Sequence, residues 1–240
     1  MSTQRAGIWY APGDVERGRS IAMMTFAVGD VHGCVDKLVG LVAQCLRQAG
    51  DQPSRFVFIG DYIDRGPDSR AVIDFLIAMQ RQKRFELIAL RGNHEAMMLK
   101  TVRTGDGALW LLNGAAQTLA SYGIGDWTGL PAEHLDWVAS LPLCFDDGQR
   151  YFVHAGINPA VPLDQQTEHD QLWIREPFLS DARDFGRLIV HGHTPLTTGR
   201  PDQRANRVNI DTAAVFGGPL TAAVFTPERV APVAFLMSGE

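Results

Sequence analysis

Residues 55–67 read Arg-Phe-Val-Phe-Ile-Gly-Asp-Tyr-Ile-Asp-Arg-Gly-Pro, an apolar run that stops at a polar turn. A short run of aromatic and β-branched residues predicts a buried strand, and the Gly-Asp pair predicts a loop at its C-terminal end. The turn carries two carboxylates and a guanidinium, namely Asp61, Asp64 and Arg65. Such residues are common in solvated loops, so this segment alone indicates a strand and a turn.

The same arrangement occurs on either side of this segment. Residues 25–28 are apolar and lead into Gly-Asp-Val-His-Gly, and residues 85–90 lead into Arg-Gly-Asn-His-Glu. Apolar spacing predicts a helix after each strand. Since strand-loop-helix units of this kind place their loops at one edge of a sheet, we expect five polar side chains to gather there. They are Asp30, His32, Asp61, Asn93 and His94. Asp30 and His32, two apart in extended chain, can converge on one ion.

Composition limits the class of protein. The chain has 240 residues, 45% hydrophobic and 20% charged, which predicts one large globular domain with a substantial core. A formal net charge of -5 argues against a nucleic-acid or membrane-surface binder. Three scattered cysteines, Cys34, Cys45 and Cys144, are typical of a reducing compartment. With no signal peptide or membrane span in the sequence, we expect a cytoplasmic protein.

Five blocks of the sequence resemble the motifs of the phosphoprotein phosphatase family of binuclear metallophosphoesterases. Three are the polar turns at residues 29–33, 60–66 and 91–95, which match without a substitution, and two are histidine blocks at residues 151–156 and 188–194. The resemblance implies an α/β layered metallophosphoesterase fold, with two packed mixed β-sheets flanked by helices. We expect a tail or arm over residues 1–24 and one catalytic domain over residues 25–240. The compact bacterial and phage-type enzymes are the closer comparison within the family.

The resemblance also implies two metal sites. Asp30 and His32 are expected to bind the first ion and Asp61 to bridge both ions. The expected ligands of the second ion are Asn93, His154 and His193. Mn²⁺, Fe and Zn²⁺ all accept such mixed oxygen and nitrogen ligands, and we expect Mn²⁺. A water held by two such ions ionises near neutral pH and can attack phosphorus directly, without a covalent enzyme intermediate.

Other residues of the blocks acquire roles by the same resemblance. His94 is implied as the general acid that protonates the departing oxygen, and Asp64 as the carboxylate that orients its ring. Three arginines are expected to bind phosphate. They are Arg65, Arg91 and Arg175. Arg175 follows a stretch only loosely like the family's, so a surface ion pair with Glu176 is the alternative for it.

The expected function is therefore a metal-dependent phosphomonoesterase that hydrolyses phosphoserine or phosphothreonine, with phosphotyrosine as a further candidate, in a phosphoprotein or phosphopeptide. One alternative is a symmetrical diadenosine tetraphosphatase, whose phosphate leaving group depends less on an acid; the retained Asp64 favours the protein phosphatase. Another is a metal-binding or phosphate-binding module without turnover, against which the intact ligand set argues. The sequence carries no sign of the oligomeric state.

Residues outside the blocks are predicted to be scaffold. His134 and His169 lie in polar surroundings and are predicted to be solvated. His191 is predicted to be structural or to lie behind a metal ligand, and Asp211 to support the site from behind. Helices are predicted between the third and fourth blocks, where they would shape the rim of the cleft.

Overall fold

The computed structural model describes residues 23–239, which contain ten strands and seven α-helices. The strands are β1 (Met24–Val28), β2 (Ser54–Phe58), β3 (Glu86–Ala89), β4 (Cys144–Asp146), β5 (Arg150–Val153), β6 (Leu188–His191), β7 (Asp202–Gln203), β8 (Arg207–Asn209), β9 (Thr221–Thr226) and β10 (Arg229–Met237). The helices are α1 (Val35–Ala49), α2 (Ser69–Gln80), α3 (Asn93–Thr104), α4 (Ala108–Leu112), α5 (Ala115–Tyr122), α6 (Ala132–Ser140) and α7 (Glu168–Trp173).

The strands form two mixed sheets of five strands each. The first has the order β10-β9-β1-β2-β3, with β1, β2 and β3 parallel and β9 antiparallel to β1. The second has the order β4-β5-β6-β8-β7, with β5, β6 and β8 parallel. The chain therefore leaves the first sheet after β3, builds the second, and returns with β9. The predicted pair of mixed sheets flanked by helices is confirmed.

Alternate residues of the central strands face two different cores, as the two-residue period of a strand requires. In β2, Phe56 and Phe58 pack toward the helices, while Val57 points into the space between the sheets. The core between the sheets consists of Ala27, Val57, Ile59, Leu90, Phe152, Leu188, Val190, Val208, Ile210, Ala223 and Phe225. It holds the two sheets face to face, so the loops at their ends are fixed relative to each other.

Helix α1 covers the first sheet with a stripe slightly displaced from the one that the spacing of its apolar residues predicts, which is Val35, Leu38, Val39, Val42 and Leu46. Leu38 and Val42 are buried as expected, and Leu41 and Cys45 join them, but Val39 is 45% exposed. The inward stripe therefore runs through positions 38, 41, 42, 45 and 49 of the chain. Cys45 fills core space, and the three cysteines are free.

The predicted tail falls almost entirely outside the described residues, because the structure describes nothing before residue 23. Strand β1 begins at Met24, one residue before the predicted start of the domain. Among residues 23–239, no helix combines the length and apolar character needed to cross a membrane.

Candidate active site

The polar turns that follow β1, β2, β3, β5 and β6 converge, and several of their residues have unusual backbone conformations. Positive φ angles occur at His32, Asp61, Asp64, Arg65 and His193. Non-glycine residues seldom adopt this region, and each instance costs on the order of 1–3 kcal/mol. Positive φ at five predicted site residues shows that the fold holds these turns in place against local preference.

Glu95 fastens two of these turns together. Its carboxylate accepts hydrogen bonds from the backbone N–H groups of Asp61 (2.9 Å), Tyr62 (2.8 Å) and Gly92 (2.9 Å). Burial, and next the neighbouring Asp61, raise the pKa of Glu95 to about 7. Gly92 leaves no room for a side chain, because a Cβ there would collide with the Asp61 carboxylate. Glu95, for which no role was predicted from the sequence, therefore fixes the loop that carries Asp61.

Asp61 lies at the centre of two buried clusters of ligand atoms. In one cluster, atoms of His32, Asp61 and His94 lie within 4.8 Å of one another; in the other, atoms of Asp61, His154 and His193 do so. His32 Nε2 is 3.4 Å from Asp61 Oδ2, and His154 Nε2 is 3.4 Å from Asp61 Oδ1. The two carboxylate oxygens thus face different histidines, as an oxygen-sharing bridge between two cations would require.

Hydrogen bonds fix the ring orientation of both histidines nearest Asp61. His32 Nδ1 donates to the Ile63 carbonyl at 2.8 Å, and His154 Nδ1 donates to the Ile59 carbonyl at 2.9 Å. In a neutral ring, Nε2 then offers only a lone pair to the cluster. Burial lowers the pKa of His32 to about 3 and lowers that of His154 as well, so both rings are neutral at physiological pH.

The second cluster brings hydrogen-bond acceptors together. Asn93 Oδ1 lies 2.8 Å from His154 Nε2 and 3.0 Å from His193 Nδ1. Burial, and then the nearby His154, lower the pKa of His193 to about 3. Because the lone pair of His154 Nε2 faces the oxygens of Asn93 and Asp61, this space is suited to a cation.

Asp30 lies beside the second cluster but outside both of the tight groupings. Its carboxylate accepts a hydrogen bond from the His193 backbone N–H at 3.2 Å, and a Cβ on Gly192 would collide with it. Burial, then Asp211 and Asp61, raise the pKa of Asp30 well above its usual range. Burial likewise raises the pKa of Asp211 to about 6. Three carboxylates in one buried space favour a bound cation, because a cation would offset their repulsion.

His94 and Asp64 form a buried pair at the first cluster. His94 Nδ1 lies 2.6 Å from Asp64 Oδ2, and Asp64 also accepts hydrogen bonds from Trp110 Nε1 (2.8 Å) and Thr118 Oγ1 (2.6 Å). His94 Nε2 is buried, has no hydrogen-bond partner among the described residues, and lies 3.8 Å from Asp61 Oδ2. The Nδ1 atom of His94 is therefore held by Asp64, while the Nε2 atom is directed at the cluster.

The pair retains a proton to higher pH than its members would alone. Burial lowers the pKa of His94, but the carboxylates of Asp61 and Asp64 outweigh it and the net shift is upward. Burial raises the pKa of Asp64, against the hydrogen bonds from its three donors. A ligating histidine must be deprotonated, whereas a general acid must carry a proton. The bond from His94 Nδ1 to Asp64, which does not depend on the charge of Asp61, and the unpartnered Nε2 favour the general acid.

The three predicted phosphate-binding arginines differ in their contacts. Arg65 donates to His32 Nε2 at 2.8 Å and lies over the Phe216 ring. Arg91 donates to the Ala139 carbonyl at 2.7 Å and makes no contact with the clusters in residues 23–239, so its phosphate-binding role stays a prediction. Arg175 is exposed and close enough to lower the pKa of His193.

The surface ion pair considered for Arg175 is not formed in the described structure. Glu176 instead accepts a hydrogen bond from the Ser180 hydroxyl at 2.6 Å. Arg175 is therefore available to a ligand, and its role as a further clamp stays a prediction.

Three residues of this site escaped the sequence analysis, namely Glu95, Trp110 and Thr118. Glu95 sits at the third position of α3 with a glycine before the helix, where a carboxylate can reach back to the first N–H groups. A glutamate at this position of a helix is a sequence signal for such a contact. Trp110 and Thr118 lie on α4 and α5, which do border the cleft as predicted, but their contact with Asp64 spans 46 and 54 residues.

The histidines outside the clusters correct one prediction. His169 is exposed, as predicted. His134 was predicted to be solvated, which is wrong, since its side chain is buried between Tyr122 and Asp74. His191 is buried beside Arg207 and Phe178, and no contact of its ring with the two clusters is found among the described residues.

The donor set fits two divalent cations that share Asp61. It combines carboxylate, imidazole and amide donors, which suit several divalent metals without selecting one. The residues that would hold them are Asp30, His32, Asp61, Asn93, His154 and His193.

Comparison with known proteins shows the family. The profile of the calcineurin-like phosphoesterases matches residues 23–222, so the chain belongs to that family and is a metallophosphoesterase, a metal-binding phosphatase-type hydrolase. The fold implies divalent metal ions. A cold-active protein-tyrosine phosphatase of a psychrophilic Shewanella species shares the fold, with a TM-score of 0.62 and 17% identity over 90% of this chain and 80% of that one.

Curated relatives carry more than one activity in their names. Serine/threonine-protein phosphatase 1 of Salmonella typhimurium is 34% identical over 214 residues, 82% of this chain and 90% of that protein. An asymmetrical bis(5'-nucleosyl)-tetraphosphatase PrpE of Anoxybacillus flavithermus is 29% identical over 221 residues, 81% and 87% of the two chains. A symmetrical bis(5'-nucleosyl)-tetraphosphatase of Dechloromonas aromatica is 33% identical over 57% of this chain and 45% of its own.

Proposed function

We propose that this metallophosphoesterase is a protein phosphatase that hydrolyses phosphoserine or phosphothreonine in a phosphoprotein or phosphopeptide, with phosphotyrosine as a further substrate. The observation that carries the proposal is the anchored His94, whose free Nε2 faces the Asp61 clusters. Serine and threonine leave as alkoxides, which are poor leaving groups and need a proton at the moment of bond cleavage.

Different residues of the chain would transfer the proton and bind the phosphoryl group. Asp64, held by Trp110 and Thr118, orients the His94 ring so that Nε2 delivers its proton to the departing oxygen. Arg65 lies beside the first cluster and can turn from His32 to a phosphoryl oxygen, where a guanidinium offsets developing charge. Exposed Arg175 can approach the same phosphoryl group from the solvent side.

Two cations held around Asp61 would supply Lewis acidity for water activation and phosphate polarisation. We propose Mn²⁺ as the native ion, with Fe or Zn²⁺ accepted by the same donors. In the Asp61→Asn variant the bridging charge is lost, so we expect metal content to fall with activity. Metal analysis of the purified variant checks this, and an Asp61→Asn protein with a full complement of two ions would contradict the bridging role.

The second candidate function is a bis(5'-nucleosyl)-tetraphosphatase of the symmetrical or asymmetrical kind. What favours it is the similarity to two groups of proteins with these names. An anhydride releases a nucleotide phosphate, which departs without a strong acid. Three hydrogen-bond donors hold Asp64 in place, and such an oriented acid is better explained by an alkoxide leaving group than by a phosphate. The sequence identity to a serine/threonine phosphatase, 34%, is also higher than the 29% and 33% to the two tetraphosphatases.

The deciding experiment measures phosphate release by metal-stripped protein with and without Mn²⁺. The substrates are matched phosphoserine, phosphothreonine and phosphotyrosine peptides, with diadenosine tetraphosphate followed in parallel by product chromatography. Metal-dependent release from the peptides with little nucleotide cleavage would support the proposal. Cleavage of the dinucleotide with idle peptides would overturn it, and the products would distinguish symmetrical from asymmetrical cleavage. No turnover of any substrate would favour a binding module.

A further inference from the structure

A groove of about 870 Å³ opens beside the clusters, and among its lining residues only Arg91 has a role predicted above. We call it the α3 groove, because Ala96, Lys100 and Arg103 line it at helical spacing on one face of α3. Leu172 and Trp173 of α7 form part of the opposite wall, and Leu109 of α4 contributes a further apolar surface. The groove therefore combines an apolar floor with charged side chains along its length.

The groove is continuous with the active site. Arg91 lines it only two residues before Asn93, and the Trp173 ring meets the ring of His193 edge-on at 6.1 Å between centroids. A substrate whose phosphate lies at the clusters would extend along this groove if its chain followed α3. Its outer end carries Lys100 and Arg103, both exposed, and no ion pair of either is found among the described residues.

The charge of the groove opposes that of the whole chain. Arg91, Lys100 and Arg103 are cationic, and Glu168, 3.9 Å from Arg91, is the one carboxylate among the groove's described lining residues. Three cations and one anion leave a local excess of two positive charges in a chain of net charge -5. Such a patch attracts an anionic partner, in a manner that depends on salt.

We propose that the α3 groove binds the acidic flank of a phosphopeptide, so that the enzyme prefers phosphorylation sites followed or preceded at a fixed distance by carboxylates. This inference rests on the proposed protein phosphatase function. Apolar side chains of the peptide would pack on Leu109 and Trp173, and its carboxylates would reach Lys100 and Arg103.

The rise of helix α3 sets the distance between the phosphorylated residue and the carboxylates that the groove would bind. Lys100 lies seven residues and Arg103 ten residues beyond Asn93, which places their Cα atoms about 10 and 15 Å along the helix axis from the cluster. An extended peptide advances roughly 3.3 Å per residue. The carboxylates that matter are therefore about three to five residues from the phosphorylated residue, and an acidic residue directly beside it contributes little.

The test compares two pairs of phosphothreonine peptides on the Mn²⁺-loaded enzyme. In each pair one peptide carries Glu at the third, fourth and fifth positions from phosphothreonine and the other carries Gln there, N-terminal to it in one pair and C-terminal in the other. Since each partly exposed charge pair contributes only modestly, we expect kcat/KM to be about fivefold higher for one Glu version. The preference should shrink as salt is raised. A Glu moved next to phosphothreonine should give no preference.

Reversing the charges of Lys100 and Arg103 tests whether the preference for the Glu peptide arises in the α3 groove. The Lys100→Glu/Arg103→Glu variant should lose the preference for the Glu peptide while keeping its activity on p-nitrophenyl phosphate, which is too small to reach the groove. The matched control is Lys83→Glu/Arg84→Glu, which changes the net charge equally at two exposed residues that do not line the groove. The control should retain the preference.

The outcomes separate this inference from the proposed function. Peptide hydrolysis with a Glu-to-Gln ratio near one, or a ratio unchanged in the groove variant, would overturn the acidic-flank preference and leave the phosphatase standing. Idle peptides with cleaved diadenosine tetraphosphate would overturn the phosphatase itself. If in that case the groove variant weakened dinucleotide binding while the control did not, the groove would serve a polyphosphate and the peptide inference would fail as well.

Discussion

Two histidines, His94 and His134, pair with a carboxylate other than the central Asp61, and only His94 belongs to the site. His94 Nδ1 lies 2.6 Å from Asp64, and His134 Nε2 lies 3.1 Å from Asp74. The difference is in what surrounds each pair. Asp64 is fully buried and the second nitrogen of His94 has no partner in residues 23–239, whereas Asp74 is 55% exposed and the second nitrogen of His134 is bonded to Tyr122.

The comparison shows that a histidine–carboxylate pair does not by itself make a catalytic group. In the His134 pair every polar atom of the ring is satisfied, so the pair connects α2, α5 and α6 and has no proton to offer a ligand. In the His94 pair the protein satisfies one nitrogen and leaves the other facing the Asp61 clusters. An unsatisfied buried nitrogen costs stability, so its retention points to function.

The largest expected effect tests the His94 side of this comparison. In the His94→Asn variant we expect kcat on a phosphoserine peptide to fall by about 10²- to 10⁴-fold, because the leaving alkoxide loses its acid. Turnover of p-nitrophenyl phosphate, whose leaving group needs little protonation, should fall much less. Metal content should stay unchanged. Joint loss of metal and of activity on both substrates would make His94 a ligand rather than the acid.

The next effect concerns the donors that hold Asp64. Trp110→Phe and Thr118→Val each remove one hydrogen-bond donor to the buried carboxylate; valine keeps the shape of threonine, and phenylalanine keeps an aromatic ring smaller than indole. Hydrogen bonds to charged groups are worth about 1.5–3 kcal/mol, so we expect roughly tenfold or more loss of kcat on phosphoserine peptides. KM should change little, because neither residue touches substrate. An equal loss on p-nitrophenyl phosphate would indicate general damage to the site instead.

The sequence predicts this protein best where information is local. Each central strand is a short apolar run followed by its own polar turn, so strands, turns and their shared edge follow from patterns only a few residues long. The gathering of the side chains of Asp61, His154 and His193, drawn from three separate blocks, was expected from the family resemblance and is seen.

What escaped prediction depends on contacts between distant segments. Trp110 fits an apolar helix pattern, and only the tertiary structure shows that its indole N–H meets Asp64. His134 sits among polar neighbours in sequence, but α6 turns that face onto Tyr122. Val39 fits the helical stripe of α1 and lies at its solvent edge, because the period fixes a face only to within one position.

A third buried histidine, His191, extends the comparison to the pH dependence of stability. His191 has Arg207 rather than a carboxylate beside it, and burial followed by that cation lowers its pKa to about 3. Between pH 6.5 and 3, His191 binds a proton in the unfolded chain but stays neutral in the folded protein. The free energy of unfolding therefore falls as pH falls through this range. From pH 6.5 to 5 this one group costs about 2 kcal/mol.

The His191→Asn variant should therefore lose less stability over that interval than the parent protein does. Denaturant unfolding of the metal-free proteins at pH 6.5 and pH 5 gives the change in the free energy of unfolding between the two pH values for each protein. A packing defect of the variant lowers its stability equally at both pH values, so it cancels in this change. Equal pH dependence in the two proteins would show that His191 is not held neutral by the fold.

The smallest effect is expected on the His134 side and involves stability alone. In His134→Phe the ring still packs near Tyr122, but the buried hydroxyl of Tyr122 loses its partner, while Asp74 is exposed enough to bond to water. We expect the free energy of unfolding to fall by about 1–2 kcal/mol and kcat on phosphoserine peptides to stay within twofold of the parent value. Adding Tyr122→Phe removes the unpaired hydroxyl as well, so the double variant should regain part of the lost stability. If turnover fell with stability in the single variant and recovered in the double one, the α2–α5–α6 connection would be coupled to the cleft, and the separation between the two histidine pairs would not hold.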